Sequence, residues 1–473
     1  MPIHTLEEIL HPQSIAVAGA TSGDSGYWGD FVRPLLKYGF KGKIYPVNPK
    51  HSEIAGLKAC PSIREIPGPV DYVISAVPAS AVLNMLEDCS QKGVKCVHLF
   101  TGRFSETGRP EPAKLEQEIL KQARKMGIRL IGPNCMGVYY PKEGISFVTD
   151  FPEEPGSVGL ASQSGGASVE IVHSAAQRGI RFSKVISYGN ALDLNECDYL
   201  DYFSHDPETK LIIMYVEGVR DGKRFFSSLR QAASAKPVII IKGGRGKSGM
   251  RAVASHTASL AGSTKIWETL VTQAGAISAE NLDELVDLAI SFCFLPPISG
   301  LRVGVAGGGG GATVMAADQC EEAGLDVVPL PADIREELKS KGIPIWDWIG
   351  NPIDGSIIGD PRFTGTDMLQ MMSENQNFDL LIVNIGEPHR GSQQVKTAEA
   401  HLEQYKLEMR KLKPLLAVVA DKALGIDDYE DPNYRLICET RTKLIASNIP
   451  VYPTIGRAAS AAKKLAEHYQ RRK

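Results

Sequence analysis

Residues 14–26 read SIAVAGATSGDSG, a short apolar run followed by a glycine-rich turn. The same order recurs in SVGLASQSGGAS at residues 157–168 and in LRVGVAGGGGG at residues 301–311. Each apolar run has the length of a buried strand, and a stretch of helix length follows each turn. Alternation of strand and helix from end to end indicates an α/β protein built from parallel sheets.

Further apolar runs extend this pattern into three units. The chain has 473 residues, more than the roughly 250–300 over which a single core grows. Predicted strands lie at 14–19, 43–47, 71–76, 95–100 and 129–131, then at 157–161, 183–187, 211–216 and 238–241, then at 301–306, 380–384, 415–419 and 451–452. We predict three consecutive open parallel-sheet domains at 1–140, 141–294 and 301–473, with a Pro- and Gly-containing linker at 295–300.

Composition and charge narrow the class of protein. A net charge of −3 gives no electrostatic reason for nucleic acid or an anionic membrane as a partner. The eight cysteines are scattered without a C-x-x-C pair, which is typical of free thiols in a reducing compartment. No run of about 18 apolar residues occurs, and the first residues lack the pattern of a signal peptide. We therefore expect a cytoplasmic protein.

The first glycine-rich turn points to a phosphate-bearing ligand. Helix starts at the carboxyl edge of a sheet attract anions through their backbone N–H groups and the helix dipole, although close packing alone also selects glycine. A nicotinamide site places Asp or Glu at the end of the second strand. This chain has Lys50 there. A lysine favours a phosphate such as that of CoA over NAD, and a solvated surface lysine is the alternative.

The other two turns also suit an anion. Ser162 and Ser164 precede Gly165 and Gly166 at a predicted helix start. Either serine could serve only as the helix N-cap, but the pair with two glycines suits a phosphoryl group better. The five glycines at 307–311 carry a large entropy cost, which favours close approach of the backbone to a ligand.

A histidine and a carboxylate suggest group transfer. His256 follows a Gly-, Ser- and Lys/Arg-rich segment at 242–251. A neutral imidazole can attack phosphorus with one nitrogen while the other donates a hydrogen bond, although a surface or capping histidine is the alternative. Glu217 ends a predicted strand, where its carboxylate could orient the imidazole or merely cap a helix. Asn190 and Asp193 follow another strand end and could border the same cleft.

Other catalytic signatures are missing from the sequence. Asp347 and Asp354 lack the spacing of a metal site, so we expect no bound structural metal. There is no G-x-x-x-x-G-K-[ST] phosphate loop and no G-x-S-x-G nucleophile elbow. The histidine and the anion-friendly turns remain as the candidates for chemistry.

An ordered set of motifs resembles the α subunit of ADP-forming acyl-CoA synthetases and, more distantly, the α subunit of succinyl-CoA synthetase. The matching stretches are HPQSIAV at 11–17, GFKGKIYPVNPK at 39–50, GPNCMG at 132–137, SQSGG at 162–166, YGN at 188–190, EG at 217–218, SHT at 255–257 and NPID at 351–354. They cover nearly the whole chain. The resemblance implies a Rossmann-like CoA-binding domain followed by two flavodoxin-like domains.

The resemblance also implies residue roles. CoA would bind at Thr21, Ser22, Ser25, Lys50, Val77, Pro78 and Thr101, and Asn134, Asn190 and Asp193 would line the active site. An acyl group would pass from CoA to phosphate, and His256, steadied by Glu217, would take the phosphoryl group from the acyl phosphate. Phosphate would be held by Ser162, Ser164, Gly165 and Gly166 and by Gly308, Gly309, Gly310 and Gly311.

A partner chain follows from the same resemblance. The family transfers the phosphoryl group to ADP on an ATP-grasp domain, and all three units here are predicted to be of the parallel α/β type. We therefore expect ATP or ADP with Mg²⁺ on a separate ATP-grasp β subunit, in an α2β2 assembly. Two positions depart from the family pattern: Ala258 stands where the family has Gly, and Val169 stands where the succinyl-specific enzyme has an aromatic residue.

Three other functions compete with this hypothesis. A non-catalytic CoA-binding regulator would keep the fold without phosphoryl transfer. An NAD-linked oxidoreductase is disfavoured by Lys50 and by the lengthened first turn. A ligase acting on an unusual acid would use the same histidine, and the sequence does not name the acyl group.

Overall fold

The computed structural model describes residues 5–21, 29–249, 251, 264–354, 365–385, 413–419 and 432–472. The chain divides into two compact units, Met1–Leu282 and Asp283–Lys473. Each is built from parallel strands connected by helices, so the predicted α/β class with several parallel sheets is confirmed.

The first unit contains two sheets and a small hairpin. Its helices are α1 (Leu6–Leu10), α2 (Val32–Lys37), α3 (Val82–Gln91), α4 (Pro110–Met126), α5 (Gly165–Gln177), α6 (Glu196–His205), α7 (Gly222–Ala235) and α8 (Thr264–Gln273). Its strands are β1 (Ser14–Ala18), β2 (Lys43–Val47), β3 (Glu53–Ile54), β4 (Leu57–Lys58), β5 (Tyr72–Ser75), β6 (Cys96–Leu99), β7 (Arg129–Ile131), β8 (Gly137–Tyr139), β9 (Val158–Ser162), β10 (Phe182–Ser187), β11 (Leu211–Val216), β12 (Val238–Lys242) and β13 (Ile277–Ala279).

The first sheet has the order β2-β1-β5-β6-β7, and all of its strand pairs are parallel. Its central strands β1 and β5 are buried along their whole length, as is typical of parallel strands that are covered on both faces. The sheet grows in opposite directions from the β1–β5 pair. Ligands of open α/β sheets bind outside the carboxyl ends of the strands at such a switch point.

The second sheet has the order β13-β12-β11-β9-β10-β8. Only β8 is antiparallel; it pairs with β10, as Val185 lies opposite Tyr139. The chain passes from β9 to β10 on one side and to β11 on the other, so the switch point of this sheet lies between β9 and β11. The carboxyl ends of these two strands are the turn at 162–166 and the residues that follow Val216.

Two buried polar groups secure this first unit. Lys184 on β10 is 1% exposed, and its Nζ donates to Asp206 Oδ2 at 2.9 Å and to Glu208 Oε2 at 2.7 Å. His98 on β6 is also 1% exposed, and its ring lies 3.0 Å (Nε2) from the carbonyl oxygen of Cys135. A Cβ on Gly137, where φ is 86°, would lie 2.3 Å from Cε1 of this ring, so β8 must begin with glycine.

The second unit has one sheet in the order β14-β15-β16-β17, all parallel. Its elements are β14 (Val303–Ala306), β15 (Leu380–Asn384), β16 (Leu415–Val418), β17 (Val451–Tyr452), α9 (Leu282–Phe294), α10 (Gly310–Glu322), α11 (Ala332–Ser340), α12 (Gly365–Glu374), α13 (Pro432–Ala446) and α14 (Ile455–Gln470). Before β15, Asp379 accepts two hydrogen bonds from the guanidinium of Arg302, both at 2.9 Å. Burial raises the pKa of Asp379, but these bonds outweigh it and lower the pKa overall.

The domain boundaries differ in detail from the sequence expectation. Residues 137–139, counted with the first domain, form β8 of the second sheet. The two compact units divide at Leu282, ahead of the predicted linker, and α9 packs within the second unit through Asp287, whose Oδ2 accepts from Arg457 Nε at 2.5 Å. Residues 295–300 form neither helix nor strand, but Ile298 is buried. The division into three domains stays a prediction.

Candidate functional site

The turn after β9 begins the helix α5 at the switch point of the second sheet. Ser164 is the N-cap of α5, and its Oγ accepts from the backbone N–H of Ala167 at 3.2 Å. Ser162 is buried, and its Oγ donates to the carbonyl of Ser164 at 2.7 Å. Ser164 therefore does cap this helix. The first turn of α5 lies at the carboxyl edge of the sheet.

The two glycines of this turn differ in their surroundings. A Cβ on Gly165 would lie 2.7 Å from Cγ of Met136, so packing requires glycine there. A Cβ on Gly166 would meet nothing within 4 Å. The first turn of a helix carries backbone N–H groups without intrahelical partners, and these attract anions. Packing against Met136 therefore explains Gly165, whereas no neighbouring atom requires a glycine at position 166.

Glu217 lies directly across the switch point from this turn. It is 5% exposed and follows the last residue of β11. Tyr215 on the same strand has its hydroxyl 3.3 Å from Oε1 of Glu217. Burial and then the Glu217 carboxylate raise the pKa of Tyr215 to about 12, so the phenol remains a donor at neutral pH. The geometry places a buried carboxylate where a ligand of an open sheet would bind.

Two side chains that the sequence analysis did not propose as site residues hold the backbone here. Gln163 is 7% exposed; its Oε1 accepts from the N–H of Glu217 and, at 2.9 Å, from that of Gly218. Its Nε2 donates to the carbonyl of Gly218 at 3.1 Å. Lys242, at the end of β12, donates from Nζ to the carbonyl of Glu217 at 2.6 Å. In the sequence, Gln163 lies within the SQSGG motif and Lys242 begins the Lys/Arg-rich segment, but neither signal predicts these bonds.

Lys242 also brings a cation to the same edge. Its Nζ lies 5.8 Å from the centroid of the Trp267 ring on α8. Burial lowers the pKa of Lys242, and the nearby Glu217 carboxylate partly opposes this. The ammonium group therefore lies at the carboxyl end of β12, where it is bound to the backbone oxygens of Glu217 and Gly243.

Asn190 and Asn134 meet in one network beside this edge. Asn190 Nδ2 donates to Glu106 Oε2 at 2.7 Å and to Glu116 Oε1 at 3.2 Å, and Asn134 Nδ2 lies 3.5 Å from Asn190 Oδ1. Arg220, three residues after Glu217, donates to the carbonyl of Asn190 at 2.8 Å. The loop after β10 is thus connected both to α4 and the turn before it and to the segment that follows β11.

The Asp193 carboxylate, unlike the Asn190 side chain, binds residues of strand β7. Its Oδ2 accepts from Arg129 Nε at 2.7 Å and from the backbone N–H of Leu130 at 3.1 Å. Arg124 lies 3.5 Å from the other carboxylate oxygen. These contacts join the loop to β7 of the first sheet, so they give Asp193 a structural role. Its proposed place in the active-site lining stays a prediction.

The described residues predicted to bind CoA lie together at the carboxyl edge of the first sheet. Thr21 follows β1, Lys50 follows β2, Val77 and Pro78 follow β5, and Thr101 follows β6. Thr101 Oγ1 donates to the carbonyl of Val77 at 2.7 Å. A Cβ on Gly19 would lie 2.9 Å from the backbone of Ala76, so the β1 turn closely approaches the end of β5. Lys50 is exposed at this edge.

The second unit has its own glycine-rich helix start. Gly309 is the N-cap of α10, and Gly307 and Gly308 have φ of 96° and 85°. A Cβ on Gly307 would lie 2.0 Å from the carbonyl oxygen of Asn384, so the backbone conformation and β15 both require glycine there. A Cβ on Gly310 would lie 3.2 Å from Oδ2 of Asp354, whereas Gly309 and Gly311 face open space. A carboxylate therefore lies near this helix start.

Several predicted residues lie outside the described part of the chain. These are His256, Ser22 and Ser25, together with Ala258. Among the residues that the structure describes, no group of three or more His, Cys, Asp or Glu side chains could hold a metal ion. Within the same residues, no helix has the length and apolar character needed to cross a membrane.

Two family models match the chain in the order expected. A CoA binding domain matches residues 13–141, and a succinyl-CoA ligase like flavodoxin domain matches residues 155–292. The two switch-point edges described above fall within these two regions. Together they define a class of CoA ligase whose CoA-binding sheet precedes a flavodoxin-like sheet.

Similar proteins narrow the class. The chain is 37% identical over 441 residues to the acetate–CoA ligase [ADP-forming] II subunit alpha of Pyrococcus furiosus, covering 90% of this chain and 95% of that one. It is 39% identical over 361 residues to the acetate–CoA ligase [ADP-forming] of Methanocaldococcus jannaschii, 76% of this chain but 50% of that one. A solved structure of Candidatus Korarchaeum cryptofilum dinucleotide forming acetyl-coenzyme A synthetase 1, in complex with phosphate and ADP, has a TM-score of 0.84 at 32% identity and covers 99% of this chain and 97% of that one.

The chain belongs to the family of ADP-forming acyl-CoA ligases, among their α subunits. The family resemblance seen in the sequence is therefore confirmed. The relatives are ligases with differing acids in their names, among them acetate and 4-hydroxybutyrate.

Proposed function

We propose that this chain carries the acyl-transfer and phosphohistidine steps of an ADP-forming acyl-CoA synthetase, acyl-CoA + ADP + phosphate ⇌ acid + CoA + ATP. The observation that carries the proposal is the buried Glu217 carboxylate at the β9–β11 switch point, opposite the helix start at 164–166. Family membership and the CoA-binding edge of the first sheet support the substrates.

The first step joins the acyl group to phosphate. A phosphate oxygen attacks the thioester carbonyl, the C–S bond breaks, and CoA leaves as a thiolate that takes up a proton. Phosphate would be held at the N–H groups of the 164–166 turn, where Gly166 has open space. The Lys242 ammonium lies at the same edge of the sheet, bound to the Glu217 carbonyl. In the second unit, the helix start at 308–311 would also hold phosphate, as the resemblance implies.

The second step moves the phosphoryl group to His256. One imidazole nitrogen forms a bond to phosphorus as the P–O bond to the acyl group breaks and the carboxylate leaves. The N–H of the other nitrogen stays on the ring and donates a hydrogen bond to Glu217. A carboxylate in this position keeps the ring in the reactive tautomer and stabilises the cation that forms. The role of His256 rests on its sequence motif, because the residue lies outside the described part of the chain.

In this proposal the last step takes place on a second polypeptide. The relative named as a subunit alpha matches this chain in length, while this chain spans about half of the single-chain relative. We propose that an ATP-grasp β subunit binds ADP with Mg²⁺ and receives the phosphoryl group, in an α2β2 assembly. The free state of all eight cysteines supports a reducing cytoplasm as the place of action.

The test is phosphoryl labelling of the intact chain with labelled acetyl phosphate. We expect acid-labile, base-stable label that His256→Ala abolishes and that Glu217→Gln reduces without loss of CoA binding. His205→Ala is the matched control, since His205 is exposed on α6. Saturable CoA binding without any label, with or without a β subunit and labelled ATP, would instead support a CoA-binding regulator.

A further inference from the structure

The backbone of Glu217 and Gly218 is held by side chains rather than by a strand or helix. Gln163 accepts from both N–H groups and donates to the carbonyl of Gly218, and Lys242 donates to the carbonyl of Glu217. All four hydrogen-bonding groups of the two residues are therefore bound by two side chains. Such bonds determine where the Glu217 side chain starts and in which direction it leaves the backbone.

Gln163 connects this segment to the helix start. It lies between Ser162 and Ser164, and its own N–H donates to the carbonyl of Tyr215 at 3.1 Å. Gln163 thus bonds to Tyr215 of β11 through its backbone, and to Glu217 and Gly218 through its side chain. Because Gln163 belongs to the turn that begins α5, the turn and the carboxylate keep a fixed separation.

Only an amide of this length can make the three side-chain bonds. Its oxygen accepts two of them and its NH₂ group donates the third. A glutamate could accept the first two but could not donate to Gly218, and a methionine could make none. An asparagine would be one methylene too short to reach across from β9 to β11.

We propose that Gln163 is a positioning residue, which holds the Glu217 carboxylate at the correct distance from the phosphate-binding turn during transfer to the histidine. This inference rests on the proposed function. Catalytic groups lose efficiency steeply when they shift, and a misplacement of about 1 Å can cost about 100-fold in rate. Gln163 itself touches no reacting atom in this account; it acts through Glu217.

The experiment measures the rate of labelling by labelled acetyl phosphate in the full chain. Gln163→Met removes the three side-chain bonds at similar volume, whereas Gln163→Glu keeps the two accepted bonds, loses the bond to the Gly218 carbonyl and adds a negative charge there. Gln231→Met is the control, because Gln231 is exposed on α7 of the same unit. Each variant is also made with Glu217→Gln, so that a double-mutant cycle separates an effect through Glu217 from a general loss of structure.

We expect Gln163→Met to lower the maximal labelling rate by about 10- to 100-fold, with half-saturation by acetyl phosphate and CoA affinity unchanged. In the Glu217→Gln background the same substitution should cause less than about a twofold further loss. Gln163→Glu should fall between wild type and Gln163→Met. If Gln163→Met does not fold, the cycle with Gln163→Glu decides the question.

Two results would overturn the inference. One is a labelling rate for the Gln163 variants equal to that of Gln231→Met; the other is an equal fold-loss with and without the Glu217 carboxylate. In both cases the proposed function still stands, provided that wild type takes up label and that Glu217→Gln takes up less. Wild type that takes no label on His256 would overturn the proposed function and this inference together.

Discussion

Acidification should destabilise the first unit through His98. This side chain is fully buried, and its Nε2 lies 3.0 Å from the carbonyl of Cys135. Burial lowers the pKa of His98 from 6.5 to about 4, an effect that the hydrogen bond to Cys135 only partly offsets. Below pH 6.5 His98 is therefore protonated in the unfolded chain but not in the folded chain, so the free energy of unfolding falls as the pH falls.

The magnitude follows from the two pKa values. They differ by about 2.5, and each pKa unit corresponds to about 1.4 kcal/mol, so the loss approaches about 3 kcal/mol once the pH reaches 4. The stabilising contribution is fully present above pH 6.5 and is lost between 6.5 and about 4. Below that range both states are protonated, and this residue contributes no further pH dependence.

The assay is urea unfolding of the full chain at a series of pH values between about 7 and 4. His98→Gln keeps a donor for Cys135 but cannot titrate, and His205→Gln is the control for an exposed histidine. The His98 variant should have lower stability at neutral pH, because the ring packing against Phe31 is lost, but a shallower decline on acidification. An acid dependence identical in His98→Gln and wild type would refute the reasoning.

Three further substitutions test the packing. Gly137→Ala should destabilise the protein by about 2–4 kcal/mol in a thermal unfolding assay, because φ is positive and the new methyl would clash with the buried His98 ring. Gly222→Ala is the control and should have little effect, since a Cβ there meets open space. Lys184→Met should lower the free energy of urea unfolding by about 3–5 kcal/mol, because two carboxylates lose their buried cation. Lys210→Met, at an exposed lysine, should change it by no more than about 0.5 kcal/mol. Asp379→Asn should cost about 1–3 kcal/mol by weakening the bidentate pair to β14, and its loss should vanish at a pH low enough to protonate the wild-type carboxyl.

The parallel strands could be predicted because burial on both faces makes them continuous apolar runs. β11, LIIMYV, is an example in which almost every residue is buried. β8 carried no such signal: it has three residues, and its pairing depends on β10, which lies far along the chain. The sequence therefore predicted the core strands of each sheet and missed β8 and β13, the two edge strands of the second sheet.

The candidate site was predicted in part for a similar reason. Glu217 could be proposed because it ends an apolar strand, and strand ends face ligands. Gln163 lies within the SQSGG motif, but nothing local predicts what it binds, since its bonds are to backbone groups 54 and 55 residues away. Asp193 also follows a strand end, yet Arg129, 64 residues away, binds its carboxylate. Sequence position identifies the edge of a sheet, but the partner of each polar group depends on the assembled fold.

The short passage from β7 to β8 limits where this protein can be divided. Only residues 132–136 separate a strand of the first sheet from an edge strand of the second. A cut near residue 140 would separate β8 from β10 and leave the edge of β10 uncovered in the part that follows, and uncovered strand edges recruit other chains into aggregates. Fusions or domain exchanges that keep both sheets intact should therefore be joined upstream of Gly137.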